Sequence, residues 1–395
     1  MGLILHRYIK LAAGALAAAL AISAPATAGT IATCAPGGPW TQAGGYAIDH
    51  GMPVGPWSNM TLREEVSTGL GGTQLRLHLS NEFASDAVTF AHVSVGQQLN
   101  GAATAGSPTA VTFNGSTSVT MAAGAEATSD AVALPTTPGE RLLVSLFIPS
   151  TAPVPTANAH AYPIETAFNI VGQDATMMAS PPVNNTFGFE SYLAGVETNS
   201  SSAQTVVAVG DSITDTAGTP FDSDSRWSDY LSRRSGLAVI NEGISGNQVL
   251  ADMGANGGPS LQHRWQHDVL GITGVRSVID EGGINDLRAG VSATALESAQ
   301  AALVSSAHSA GLKVLLTTIT PCAGASNCGS AFETQRQAYN SWVRAGSSGA
   351  DGIADFDAAV GAGSALAGMY DDGGHIHPSA AGCLAMANAV DISKL

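Results

Sequence analysis

The hydrophobic pattern of this chain changes period near residue 198, and that change divides what it can fold into. Before it, apolar and polar residues alternate, as in Gln74-Leu-Arg-Leu-His-Leu-Ser80 and Arg141-Leu-Leu-Val-Ser-Leu-Phe-Ile-Pro149. A period of two puts one residue type on each face of a strand. Shorter β-like runs lie at Val88–Val95, Ala110–Phe113 and Ser118–Met121, with turn pairs such as Asn114-Gly115 and Ala123-Gly124 between them. No helical period of useful length occurs between Thr30 and Glu197. Many short strands at regular spacing predict an antiparallel β-sandwich of jelly-roll type over residues 29–197.

Thr198-Asn-Ser-Ser-Ser-Ala203 is a small polar linker. Beyond it, Val206-Val-Ala-Val-Gly210 is a continuous apolar run, as a parallel strand buried on both faces requires. Ala238–Asn241, Ser277–Ile279 and Val314–Thr318 read as further strands. Helices are expected at Ser225–Ser235, Thr294–Ala310, Gln335–Arg344 and Ala380–Val390. In the second of these, Leu296, Ala299, Leu303 and Ala307 share one face. Strands alternating with helices predict an α/β domain with a parallel sheet and right-handed crossovers over residues 204–395. At roughly 150 residues per domain, the 395 residues suggest two or three domains. With 45% hydrophobic and 12% charged residues, the chain has the material for a core and not the composition of disorder.

Four blocks in the second half carry chemistry. Gly210-Asp211-Ser212-Ile213 follows the first parallel strand, where open α/β sheets gather their catalytic groups. Asn241-Glu-Gly-Ile-Ser-Gly-Asn247 and Gly282-Gly-Ile-Asn-Asp286 also follow strands. Their glycines allow close backbone approach to a ligand, and an Asn side chain there can donate a hydrogen bond. Asp371-Asp-Gly-Gly-His-Ile-His-Pro-Ser-Ala-Ala-Gly382 precedes the last helix and offers two histidines as general bases. Each block alone reads as a turn or a helix cap. Asp215 reads as a cap, Asp286 as a brace for the Asn285 turn, and Trp227, Met177 and Met178 as packing.

Together, in this order and spacing, the four blocks resemble the GDSL or SGNH hydrolase family over about Val206 to Val390. The resemblance implies a three-layer α/β fold and a serine esterase that needs no cofactor. It implies Ser212 as nucleophile and His377, the histidine before proline, as general base. It implies an oxyanion hole formed by the N–H of Ser212, by Gly246 and by Asn285. Arg226-Trp227, Gly258-Pro-Ser-Leu261 and the stretch from Gly71-Gly to Ser80-Asn81 are similar to a bacterial branch that carries a β domain in front.

The catalytic acid departs from the family pattern of an Asp three residues before the His. Three residues before His377 stands Gly374, whereas three before His375 stands Asp372. The sequence downstream, Pro378-Ser379-Ala-Ala-Gly382, matches the family after its catalytic His and favours His377. Gly373-Gly374 is flexible enough to fold Asp372 back onto that ring. A backbone carbonyl acting in its place, leaving a Ser–His dyad, stays open, as does Asp371.

The first 28 residues read as a signal peptide. Arg7 and Lys10 precede the apolar run Leu11 to Ile22, and Ala26-Thr27-Ala28 fits a cleavage site. Its removal takes away two positive charges and no acid, so the net charge moves from −16 to −18. A secreted or periplasmic protein without membrane insertion is expected. Such acidity excludes phosphate backbones as partners. Of the four cysteines, Cys322 and Cys328 bracket a five-residue loop and are expected to pair, leaving Cys34 with Cys383. No CxxC pair or HExxH helix suggests a metal. The substrate expected is an acylated, chiefly acetylated, carbohydrate or another small ester; the alternatives are a lipase, arylesterase or thioesterase acting on apolar esters, and a glycan-binding protein whose hydrolase domain has decayed. The sequence is silent on oligomeric state.

Overall fold

Alternation along Leu75–Ser80 turns Leu75, Leu77 and Leu79 into a shared core and leaves Arg76 and His78 on the other face. This strand belongs to a four-stranded antiparallel sheet, in the order Thr41–Gly45, Leu193–Thr198, Leu75–Ser80, Glu126–Thr128. A seven-stranded antiparallel sheet faces it. Its spine is Ala167–Val171, Met60–Thr68, Glu140–Ile148 and His92–Asn100. Leu62, Val66, Val93, Val95, Leu142, Val144, Leu146 and Ile148 from this sheet pack into the same core as the three leucines. Two antiparallel sheets over one core are the expected β-sandwich. The computed structural model describes residues 40–161, 165–200, 205–215 and 218–395. The signal peptide, Cys34 and residues 201–203 of the expected linker lie outside them.

The central strand Met60–Thr68 is absent from the sequence reading, because Arg63, Glu64 and Glu65 interrupt its apolar pattern. All three are at most 1% exposed. Arg63 is satisfied by Ser145 Oγ at 2.8 Å and by the carbonyls of Ala102, Ala175 and Met178 at 2.6, 3.1 and 2.9 Å. Arg141 pairs with Glu65 from the neighbouring strand. A charge buried with full pairing is tolerated where an unpaired one is not. Met177 and Met178, expected to pack, are 51% and 40% exposed: here the backbone carbonyl of Met178, not its side chain, does the binding.

The second half holds a five-stranded parallel sheet in the order Ala238–Gly243, Thr205–Gly210, Val275–Asp280, Lys313–Thr317, Gly352–Ala354. Helices alternate with its strands, among them Trp227–Ser235, Ala293–Ser309, Ser330–Arg344 and Ala380–Ala389. Ser292, Asp355 and Ser379 cap three helices through their side chains. The expected start at Gln335 moves back to Ser330, so the polar first turn Ser-Ala-Phe-Glu-Thr is helical too. Leu261–Trp265 runs into a π-helical turn, Gln266–Leu270, which no periodicity announces.

The antiparallel and α/β parts are stitched together. Gln42 N donates to Thr273 O at 2.9 Å, Thr205 Oγ1 donates to Gln42 O at 2.8 Å, and Tyr46 bridges Asn241 as a parallel neighbour. Buried ion pairs, Arg226 with Glu165 at 2.6 Å and His160 with Asp215 at 3.1 Å, cross the same boundary. No helix among the described residues is long and apolar enough to cross a membrane.

Cys322 and Cys328 form the expected disulfide. Cys34, the expected partner of Cys383, lies outside the described residues; Cys383 is 2% exposed on the inner face of the last helix, and burial pushes its thiol up to about 12. Closing a loop this short contributes roughly 2 kcal/mol by restricting the unfolded chain. Reduction is therefore expected to expose both loop thiols to alkylation and to lower the melting midpoint by a few degrees. Identical melting before and after reduction, with the thiols counted, refutes this.

Candidate active site

The first parallel strand delivers Ser212 to the carboxyl edge of the sheet, beside the position where strand order reverses. Gly210 ends that strand because a Cβ there would meet Glu281 Oε2 and Thr214 Oγ1, each at 2.5 Å. Asp211 turns the chain: its Oδ1 accepts from Ile213 N at 3.1 Å, and its carbonyl accepts from Thr214 and Asp215 N. Ser212 opens the short helix Ser212–Asp215 and is half-buried. Its Oγ lies 2.9 Å from His377 Nε2 across 165 residues of sequence.

The second and third blocks are locked to each other. Gly246 has φ +82°, and a Cβ on it would meet the Asn256 carbonyl at 2.2 Å, so only glycine fits. Asn285 Nδ2 donates to Asn247 O at 3.0 Å. Asp286, read from sequence as bracing its own turn, instead accepts from Val249 N at 2.8 Å and Leu250 N at 3.0 Å. Arg264 grips the whole from beneath. It donates to Gly210 O at 3.1 Å, Glu242 O at 2.7 Å and Asn247 Oδ1 at 3.1 Å, and pairs with Asp268 at 2.9 Å. The sequence reading missed Arg264. Its signal is a cation in a helix whose other inward residues, Leu261 and Trp265, are apolar.

The last block separates its two histidines. His375, at φ +65° and 54% side-chain exposure, pairs with Asp371 at 2.7 Å. His377 faces Ser212. Asp372 folds back as the glycine pair allows: its N–H donates to His377 O at 3.1 Å, and Oδ1 accepts from Gly374 N at 2.7 Å. Asp372 Oδ2 stays 3.9 Å from His377 Nδ1, inside ion-pair range but beyond hydrogen-bond reach.

Burial holds the His377 pKa below the usual histidine value, with Asp372 opposing and Arg288 reinforcing the shift. A neutral imidazole with a free Nε2 lone pair can take a proton from the hydroxyl. Behind the serine, burial pushes Asp211 and Asp280 up to about 7 and Glu281 well above the carboxylate range. The same burial that raises these carboxyls disfavours negative charge behind a developing oxyanion. Trp227 is fully buried, as expected, and donates to Thr214 Oγ1 at 3.3 Å. Among the described residues, the group with metal-ligand spacing is Glu82, Glu126 and His267, whose ligand atoms lie within 4.8 Å of one another. His267 there already pairs with Glu126 at 3.0 Å and with Asp268 at 2.6 Å.

A serine hydroxyl on a neutral imidazole, at the edge of a parallel α/β sheet, with an Asn and a left-handed glycine loop beside it, is the equipment of an acyl hydrolase. Residues 208–384 match the GDSL-like Lipase/Acylhydrolase family. This part of the chain is a GDSL-like lipase/acylhydrolase domain, and the protein is a carboxylic ester hydrolase. Among solved structures, the chain is similar to a carbohydrate acetylesterase from Sinorhizobium meliloti at 15% identity and TM-score 0.40, covering 47% of this chain and 95% of that one. It is similar to the M. smegmatis aryl esterase at 17% identity and TM-score 0.40, again covering 47% and 95%. An acetyl xylan esterase from Geobacillus stearothermophilus aligns at 23% identity and TM-score 0.36, covering 48% and 93%. Likeness at this level carries nothing about substrate. No curated protein sequence matches the chain.

Proposed function

We propose that the protein is an exported serine esterase that removes small acyl groups, chiefly acetyl, from carbohydrate. The observation that carries the catalytic part of this reading is the 2.9 Å approach of Ser212 Oγ to His377 Nε2. Ser212 Oγ attacks the ester carbonyl while His377 Nε2 takes its proton. The oxyanion is received by the N–H groups of Ser212 and Gly246 and by Asn285 Nδ2, which has a second hydrogen besides the one given to Asn247 O. Collapse expels the alcohol, which recovers the proton from His377. Water, deprotonated by the same ring, then frees Ser212 and releases the carboxylic acid.

Asp372 acts on this cycle through charge, favouring the imidazolium across 3.9 Å. Without a hydrogen bond it does not set the tautomer. Asp372→Ala is therefore expected to lower kcat by about tenfold, far less than the roughly 10⁴ that follows loss of a tautomer-setting acid. A loss near the larger figure overturns this role. His375→Ala is expected to leave kcat close to wild type. The acid limb of kcat/KM, which reports the free enzyme's base, should fall below the ordinary histidine value because burial disfavours the charged ring.

Three features of the sequence support export and a carbohydrate substrate: a leader-like N-terminus, an acidic chain and an appended β domain. Acetate release across a panel of acetylated polysaccharides tests the substrate. A p-nitrophenyl ester series from acetate to palmitate runs beside it. Preference for acetate and release from polysaccharide uphold the reading. Preference for long chains, with no release from polysaccharide, replaces it with an esterase of apolar substrates.

A further inference from the structure

Asp215 takes no part in the serine–histidine pair, yet it closes the short helix that Ser212 opens. Its Oδ2 accepts from Ser245 N at 3.1 Å and from Ser245 Oγ at 2.6 Å. Its Oδ1 faces His160 Nε2 at 3.1 Å, and His160 belongs to the strand Val154–Ala161 of the antiparallel part. His160 is 2% exposed and Asp215 1%. The residue after Ser245 is Gly246, whose left-handed φ and lack of room for a Cβ beside the Asn256 carbonyl restrict the position to glycine.

A buried ion pair is weak grounds for stability, because desolvating both charges offsets much of their attraction. What this pair does supply is position. One carboxylate fixes the loop before Gly246 to the helix of Ser212, and one imidazole from the other part of the chain fixes that carboxylate. We propose that His160 and Asp215 are positioning residues of the oxyanion hole, so that the antiparallel part sets the Gly246 N–H through His160, Asp215 and Ser245. The proposal rests on the reading of Gly246 as an oxyanion donor.

The charges around His160 suit a lasting pair. Burial opposes its protonation, but Asp215, Asp49 and Glu165 outweigh this and raise its pKa to about 9. His50 and Glu242 also lie within electrostatic reach, and the Tyr46 ring stacks on it at 6.0 Å. The pair thus persists through neutral pH.

The test compares purified full-length wild type, His160→Ala, His160→Gln and Ser212→Ala on one soluble ester. Displacing a catalytic group by an ångström costs on the order of 10²-fold, so kcat in His160→Ala should fall tenfold to a hundredfold while KM changes less than about twofold. Gln keeps an N–H donor and should restore most of kcat. Wild-type kcat in His160→Ala overturns the proposal, as does an equal loss in Ala and Gln. If His160→Ala does not fold, a folded His160→Gln that loses kcat tenfold or more overturns it. An active Ser212→Ala sinks the site reading and this coupling together. An inactive Ser212→Ala beside an unimpaired His160→Ala sinks the coupling alone.

Discussion

Ser212→Ala is expected to abolish ester hydrolysis while leaving the fold intact, and His377→Ala to come within a small factor of it. The hydroxyl removed is half-buried and makes its hydrogen bond to His377 alone, so no structural contact goes with it. Nucleophile and base act as a unit, and losing either costs about 10⁶ in kcat in a serine protease with the same division of labour. The double variant should be no worse than either single one, because each already stops the same proton transfer. Kinetics of the three variants on a chromogenic acetate, with melting curves as fold controls, check this. Wild-type rates in a folded Ser212→Ala protein would remove Ser212 from the mechanism.

The second large effect is expected in Asn285→Ala. Loss of one preorganised oxyanion donor costs about 10²–10³ in kcat, or roughly 2.7–4 kcal/mol. KM should hold, since the donor meets charge that exists only in the transition state. Asn285 also donates to Asn247 O, so part of the loss arises from the second block relaxing. Asn285→Asp separates the two contributions. It keeps the size but loses both N–H donors and adds negative charge where the oxyanion forms, so it should be slower than Asn285→Ala. An Asp variant faster than the Ala variant would contradict the donor role.

Elements whose burial follows from their own residues were legible before folding. Val206–Val209 is fully apolar and lies inside the parallel sheet, paired on both sides. Leu75, Leu77 and Leu79 alternate and point into the sandwich core. Thr294–Ala310 was placed within one residue of the helix observed, because the face of Leu296, Ala299, Leu303 and Ala307 is a local signal. The pair Cys322 and Cys328 needed only proximity in sequence.

What failed locally was fixed by partners far along the chain. The strand Met60–Thr68 lies inside its sheet with three buried ionisable side chains whose partners, Ser145, Arg141, the Ser191 N–H and the Ala102, Ala175 and Met178 carbonyls, come from other segments. Arg264 looks like a surface cation until Gly210, Glu242 and Asn247 close around it. His160 carries no motif, and only the docking of the antiparallel part brings it to Asp215.

The candidate site divides along the same line. The sequence by itself determined the residue types and their order, because each block must be a turn after a strand and glycine or asparagine is dictated by local backbone geometry. Only the tertiary structure decided which histidine meets Ser212, that His375 goes to Asp371, and that Asp372 halts 3.9 Å from the His377 ring. The first is an outcome of packing between segments 165 residues apart, and the other two are ångström-scale details of how the loop 371–378 settles against that packing. No spacing rule along one chain encodes them, because hydrogen bonds lose most of their strength over a few tenths of an ångström and a few tens of degrees.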